Sequence, residues 1–193
     1  MSDSEVINGL ARIFSSSGRL DLSGKQLTDI SALKTLKGDT INHLSLESNQ
    51  ISDISILSEI EWECPVLMLG NNKINDISVL AKIPDLYALS LSDNLITDIS
   101  ALEKMCSLEG LDLSGNQITD LGPLVNLAKS GWGNLEHDLD LSDNPDLNEA
   151  EIEKLQIAFG KKEEESWEGS SVWFPFSHNA RPKVNARRIS PRK

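Results

Sequence analysis

The sequence predicts an α/β solenoid, in which six short units stack side by side and share one parallel sheet. Three observations support this fold class. A phrase recurs along the chain, as SLSDNLITDISAL at 90–102 and again as DLSGNQITDLGPL at 112–124. Leucines alternate with small or polar residues at the start of each phrase, which is the period of a strand with one buried face. An asparagine then follows at a fixed distance.

The repeat covers residues 18–152 in six copies whose spacing is nearly constant. The steps between copies are 24, 23, 22, 22 and 28 residues. A strand of four or five residues is not stable alone, so copies must stack about 4.8 Å apart. The aligned key positions are Lys25, Asn49, Asn72, Asn94, Asn116 and Asn144.

Each copy contains residues that predict how the chain leaves its strand and returns. The asparagine amide can hydrogen-bond the backbone at the turn, so stacked copies predict a buried ladder of amides. In the fourth copy, Ile96, Ile99 and Leu102 supply further apolar groups, and Asp98 is placed to cap a short helical turn. The asparagine and the aspartate are therefore predicted to be structural.

The pattern L-x-x-L-x-L-x-x-N-x-I-x-D-I-S-x-L resembles the leucine-rich repeat, in the variety shared by internalins and phosphatase-regulating leucine-rich proteins. It covers roughly 135 of the 193 residues. The resemblance implies a right-handed superhelix with a concave parallel sheet and short 3-10 turns on its convex side. It also implies that the sheet binds other proteins. Three departures occur: Lys25 cannot accept the ladder hydrogen bond, the fifth copy reads DLGPL, and the sixth lacks its return turn.

Both ends of the repeat array contain signals for helical caps, so a complete solenoid is expected. Ser2 with Glu5 makes a capping box, and Asn148 with Glu151 repeats it at the other end. The apolar stripes that follow are Val6, Ile7, Leu10, Ile13 and Phe14 in the first helix and Ile152, Leu155 and Phe159 in the second. The predicted divisions are an N-terminal helical cap (1–17), six repeats (18–147), a C-terminal helix and aromatic cap (148–177), and a basic disordered tail (178–193).

Charge is distributed unevenly along the chain. The net charge is −12, made up of −18 over residues 1–177 and +6 over residues 178–193. An acidic body disfavours nucleic acid and membrane surfaces and favours a basic protein partner. The N-terminus carries acids where an export signal would be basic, and Cys64 and Cys106 fit reduced thiols. These features predict a chain that begins near Met1 and is cytoplasmic and monomeric.

The sequence gives little support for metal binding or catalysis. Residues 138–149 place oxygen ligands at the spacing of a calcium loop, but Asp143 replaces the glycine of that loop and no helix precedes it. His43, His137 and His178 lie in different units, and no nucleophile or phosphate-loop motif occurs. We expect no cofactor, no metal and no enzymatic activity. The loop residues are Asp138, Asp140, Ser142, Asn144, Asp146 and Glu149.

The concave face contains the predicted partner-binding residues, because side chains that point away from the leucines are not needed for the core. This face is expected to be small and polar in its middle and acidic at its C-terminal end. Asp112 and Asp140 hold equivalent positions in neighbouring strands, so like charges about 5 Å apart favour a basic ligand. The predicted residues are Arg19, Asp21, His43, Ser45, Glu47, Met68, Ser90, Ser92, Asp112, Ser114, Asp138 and Asp140.

Three segments outside the strands are further candidates for contact. Trp132 lies in the insertion at 125–137 and is either a loop anchor for a partner or a residue packed on the convex side. The aromatic segment VWFPF at 172–176 either seals the solenoid or docks to a partner. The basic tail is disordered or folds back on the acidic body.

These observations favour a non-catalytic protein–protein interaction module, such as a scaffold, that binds through its concave face. The alternative is an inhibitor or immunity-type protein that masks a basic enzyme with its acidic surface. A third class, a calcium-binding or hydrolytic protein, would need a metal site or a catalytic group that the motifs do not provide.

Overall fold

Six parallel strands form one sheet in chain order, and the chain returns between strands through short helical segments. The computed structural model describes residues 2–11, 18–36, 41–83, 86–130 and 139–160. The strands are β1 (Arg19–Asp21), β2 (Ile41–Ser45), β3 (Trp62–Met68), β4 (Ala88–Ser90), β5 (Gly110–Asp112) and β6 (Leu139–Asp140). The α-helices are α1 (Asp3–Ala11), α2 (Gly122–Lys129) and α3 (Glu149–Ala158), and the 3-10 turns are Ser31–Leu36, Ser55–Glu59, Ser78–Lys82 and Ser100–Lys104.

The strand register places equivalent leucines of neighbouring repeats side by side. Leu67 pairs with Leu44 on one side and with Leu89 on the other. Side chains alternate along a strand, so this row points into the core, where its members are at most 3% exposed. The predicted solenoid with a parallel sheet and 3-10 turns is confirmed. The complete row is Leu20, Leu44, Leu67, Leu89, Leu111 and Leu139.

The asparagine ladder forms as the repeat predicts. In the fourth repeat, Asn94 Oδ1 accepts a hydrogen bond from the Ile74 backbone N–H at 3.0 Å. Its Nδ2 donates to the carbonyl oxygens of Leu69 at 3.0 Å and Leu91 at 3.1 Å. Each asparagine thus joins its own turn to the preceding repeat. The four other ladder residues make equivalent bonds: Asn49, Asn72, Asn116 and Asn144.

The return turns differ in detail from the prediction. Asp53 Oδ1 accepts from the Ser55 N–H at 2.8 Å, but the residue at the N-cap of that turn is Ile54. Asp53 therefore lies two residues before the first residue of the 3-10 turn and accepts from its N–H, as in an Asx turn. In the fifth repeat the sequence DLGPL starts helix α2 instead of a 3-10 turn, with Pro123 in its first turn, where proline is tolerated.

Helices α1 and α3 each begin with a side-chain hydrogen bond to the backbone. Ser2 N–H donates to Glu5 Oε2 at 2.8 Å, and Glu5 N–H donates to Ser2 Oγ at 3.3 Å. Asn148 accepts from the Glu151 N–H at 3.1 Å. Residues 12–17 and 161–193 lie outside the described residues, including the predicted Ile13 and Phe14 contacts, the aromatic cap and the basic tail. In the part of the chain that is described, no helix is long and apolar enough to cross a membrane.

Candidate protein-binding face

The concave face is the side of the sheet opposite the leucine core, and it consists of three rows of side chains. Strand pairing defines the first two rows, and backbone hydrogen bonds just beyond the strands define the third. The first row is Arg19, His43, Val66, Ala88 and Gly110. The second is Asp21, Ser45, Met68, Ser90, Asp112 and Asp140. The third is Ser23, Glu47, Gly70, Ser92, Ser114 and Ser142.

The middle of this face is apolar, which differs from the predicted small and polar surface. Val66, Met68 and Ala88 form a cluster separate from the leucine core and are 8%, 9% and 4% exposed. We call these three residues the apolar triad. Beside it, Ser90 is 2% exposed and Ser45 is 7% exposed. Sequence reasoning selected Met68 and Ser90 as contact residues but did not recognise that they are withdrawn from water.

The side chain of Glu47 lies close to Gly70, the equivalent residue of the next repeat. A Cβ atom built on Gly70 would lie 2.7 Å from Ser92 Oγ and 3.5 Å from Glu47 Oε1. A side chain at position 70 would therefore collide with Ser92 and lie tightly against Ser90 Oγ at 3.3 Å, while its distance from the Glu47 carboxylate would be an ordinary contact. Burial raises the pKa of Glu47, and the charges of Asp21 and Asp112 raise it further.

Asp112 faces a like charge in the next repeat, as the sequence predicts. Asp112 and Asp140 are direct partners in the register of β5 and β6. Burial raises the pKa of Asp112, and the charge of Asp140 acts in the same direction. The Ser114 N–H lies 3.0 Å and its Oγ 2.6 Å from Asp112 Oδ1. Hydrogen bonds from Ser114 and from the Ser92 side chain lower the pKa of Asp112, but they compensate only in part.

The aspartates of the concave face also have a structural role that was not predicted from the sequence. Asp140 Oδ1 accepts from the Ser142 N–H at 2.8 Å, as Asp112 does from Ser114, and Asp21 accepts from the Ser23 N–H at 2.9 Å. The prediction that no structural role fixes these identities was therefore wrong. The triplet Asp-Leu-Ser, which occurs in the first, fifth and sixth copies, is the signal that could have revealed this turn.

The N-terminal end of the face has a different charge balance. Burial raises the pKa of Asp21, but the hydrogen bonds from Ser23 and the charge of Lys25 outweigh it, so the net shift is downward. Burial and the charge of Arg19 lower the pKa of His43. Acids at this end therefore have basic neighbours, whereas those of β5 and β6 face each other.

The remaining candidate residues do not come together as a metal-binding group in the part of the chain that is described. Asp138, Trp132 and His137 lie outside the described residues. Within the candidate calcium loop, Asn144 Oδ1 accepts from the Ile118 N–H at 3.0 Å, and Asp143 makes the turn with φ of 53°. The ladder therefore already uses the Asn144 oxygen. Among the described residues, no group of three or more His, Cys, Asp or Glu side chains could hold a metal ion.

The stacked strands, asparagine ladder and short return turns define the class as a leucine-rich-repeat solenoid. Family models agree: "Leucine Rich repeats (2 copies)" matches residues 66–104, and "Leucine Rich Repeat" matches residues 107–127. The chain therefore contains leucine-rich repeats, and its described residues fold as a leucine-rich-repeat solenoid. Repeats of this class are typically non-catalytic and bind other proteins, often through an extended concave surface.

Solved structures share this fold. An internalin from Listeria monocytogenes is 24% identical with a TM-score of 0.54, over 81% of this chain and 55% of that one. Internalin C2 from the same species is 22% identical with a TM-score of 0.50, over 74% and 80% of the two chains. The present chain thus spans about half of the first internalin. A comparison with curated proteins finds no match.

Proposed function

We propose that this protein binds a basic protein partner through the C-terminal half of its concave face. The observation that supports this most directly is the pairing of Asp112 with Asp140 in the register of β5 and β6. Both aspartates are partly buried, and the described rows from β3 to β6 contain no lysine, arginine or histidine beside them.

A basic side chain from a partner would relieve this repulsion. Like charges directly opposite each other on neighbouring strands are destabilising, and a cation between them removes that cost. Burial strengthens the effect, because charges in a less polar environment interact more strongly than in water. The apolar triad lies on β3 and β4, one to three strands from the two aspartates, and offers a contact for an apolar side chain of the same partner.

The second candidate function is inhibition of a basic enzyme. The same acidic pair supports it, because a positively charged active site would complement Asp112 and Asp140. This role differs from that of a scaffold in one measurable property. An inhibitor removes the activity of its partner in a one-to-one complex, with an association rate that falls as salt is added.

Affinity capture with matched variants of the full chain tests the proposal. Asp112→Asn with Asp140→Asn removes both charges but retains an oxygen that accepts from Ser114 and Ser142. Asp112→Lys with Asp140→Lys reverses the charges. Glu59→Lys with Glu109→Lys is the control, because these exposed acids lie off the concave face and their replacement changes net charge by the same amount as the reversal.

We expect wild type and the control to retain a basic protein that both concave variants lose. The loss should be larger for the lysine pair, because it adds repulsion to the loss of attraction. If all four proteins capture the same partner, the concave site is wrong and the contact must lie elsewhere.

A further inference from the structure

Two polar side chains of the second repeat lack hydrogen-bond partners on the concave face. Ser45 is 7% exposed, and no described residue bonds its Oγ. The Glu47 carboxylate is partly buried, and within the described ranges it accepts no hydrogen bond and makes no salt bridge. Polar groups withdrawn from water are nearly always paired in native proteins. Two unpaired groups, two residues apart on one face, therefore indicate a ligand with hydrogen-bond donors.

Gly70 leaves a space beside these groups that is lined by oxygen atoms. The position of a Cβ on Gly70 would be 2.7 Å from Ser92 Oγ, 3.3 Å from Ser90 Oγ and 3.5 Å from Glu47 Oε1. The φ angle of Gly70 is not in the left-handed region, so its backbone conformation does not require glycine. The missing side chain therefore matters here for the space that it leaves.

Met68 provides an apolar contact next to this space. It lies two residues before Gly70 on the same face, or about 7 Å along the strand. In the register, Ser45 lies on one side of Met68 and Ser90 on the other. An apolar surface thus leads to a group of oxygen atoms. Glu47 and Ser92 are partly exposed, so solvent reaches the edge of this space.

The chemistry of these groups fits a primary ammonium on an aliphatic stem. A lysine side chain has three donors at its tip and a flexible four-carbon stem that packs along apolar surface. Arginine has a planar and wider head, which suits a paired carboxylate better than a small recess. A metal ion is disfavoured, because the described residues contain no group of three or more His, Cys, Asp or Glu side chains that could hold one.

We infer that the space over Gly70 binds the ammonium group of a lysine side chain whose stem lies along Met68. The oxygen atoms available to this ammonium group are those of Ser45, Glu47, Ser90 and Ser92. That a protein partner supplies the lysine rests on the proposed function, whereas the binding of an ammonium group at this position does not.

An NMR titration of the full chain with Nα-acetyl-lysine methylamide tests the inference without any partner. The signal is the chemical shift of the Gly70 backbone amide. The arginine and norleucine derivatives are the comparisons, because norleucine has the stem and lacks the ammonium group. We expect a saturable shift with lysine, weaker binding of arginine and no saturable shift with norleucine. No shift with lysine, or equal shifts with lysine and norleucine, would overturn the inference.

Two substitutions test the position of the subsite. Gly70→Ala places a methyl group in the space, and Ser45→Ala removes an acceptor. Each should raise the Kd of the lysine derivative about tenfold, since a hydrogen bond to a charged group has roughly this effect. The controls are Gly9→Ala, where a Cβ meets no atom within 4 Å, and Ser52→Ala, an exposed serine; neither should change the Kd. An unchanged Kd in Gly70→Ala would overturn the position.

The stability of Ser45→Ala distinguishes a ligand group from a structural one. Without ligand, its urea midpoint should equal or exceed that of wild type, because the substitution removes a buried hydroxyl that has no partner. A lower midpoint would show that bound water already satisfies Ser45 and would overturn its role. Failure of the proposed function would appear as an affinity capture that does not depend on Asp112 and Asp140, and the lysine titration would be unaffected.

Discussion

Two acids of the return turns and two acids of the concave face have pKa values that are shifted in opposite directions. At the return turns, the pKa of Asp53 is lowered by the Ser55 backbone N–H, and the pKa of Asp76 is lowered by that of Ser78. On the concave face, burial and neighbouring acids raise the pKa of Glu47 and Asp112. The anions of Asp53 and Asp76 are thus stabilised at the turns, whereas the anions of Glu47 and Asp112 are destabilised on the concave face.

This difference distinguishes the acidic residues that stabilise the fold from those of the candidate binding site. A carboxylate that accepts from the backbone of its own turn has its charge compensated within the repeat. Asp112 and Asp140 also accept from nearby serines, but their mutual repulsion remains. The compensated acids account for the fold, and the uncompensated ones are available to a partner.

The largest expected effect on stability comes from the scaffold. Asn94→Ala removes a buried amide and leaves the Ile74 N–H and the carbonyls of Leu69 and Leu91 without it. We expect a loss of about 3 kcal/mol or more in the free energy of unfolding, measured with urea, because each buried group left unsatisfied is costly. The control is Asn75→Ala, an exposed asparagine of the preceding repeat, with a change within about 0.5 kcal/mol. Equal effects would contradict the ladder.

A smaller effect is expected at the return turns. Asp53→Ala should lower the free energy of unfolding by about 1 kcal/mol at neutral pH, since the exposed carboxylate loses its hydrogen bond to Ser55. The folded pKa lies below the usual 3.8, so this stabilisation is present above 3.8 and is lost as pH falls through the folded pKa. Urea unfolding at neutral and acid pH measures it. A difference from wild type that persists in strong acid would contradict this explanation.

The smallest effect is expected on the concave face. Asp112→Asn retains an acceptor for Ser114, so the free energy of unfolding at neutral pH should change by less than about 0.5 kcal/mol, or rise. The pH dependence has the opposite sign. Because the folded pKa is above the usual 3.8, the contribution of Asp112 is fully present below 3.8 and is lost as pH rises through the folded pKa. Urea unfolding of both proteins across this range measures the difference, and a large loss at neutral pH would show that the anion is structural.

The sequence predicts those parts of the molecule that depend on position within one repeat. Asn94 and its equivalents recur at the same place, so stacking alone puts them in a ladder. Asp112 and Asp140 share a repeat position in successive copies, and the register therefore pairs them.

Details that depend on side-chain packing could not be predicted in this way. Glu47 and Gly70 hold the same repeat position, but the repeat pattern does not show that the Glu47 carboxylate extends to within 3.5 Å of where a Gly70 Cβ would lie. Likewise, a pattern of alternating residues assigns Met68 to the outward face but does not give its exposure, which depends on what surrounds the strand.

The most direct test of an uncompensated acidic site is the titration of the Asp112 carboxyl carbon by NMR in the full chain, alone and with Asp140→Asn. The account predicts a pKa above the usual 3.8 that decreases when the charge of Asp140 is removed. A pKa at or below 3.8 that does not respond to this substitution would show that Ser114 and Ser92 already compensate the charge, and would contradict the assignment of the C-terminal concave face as the binding site.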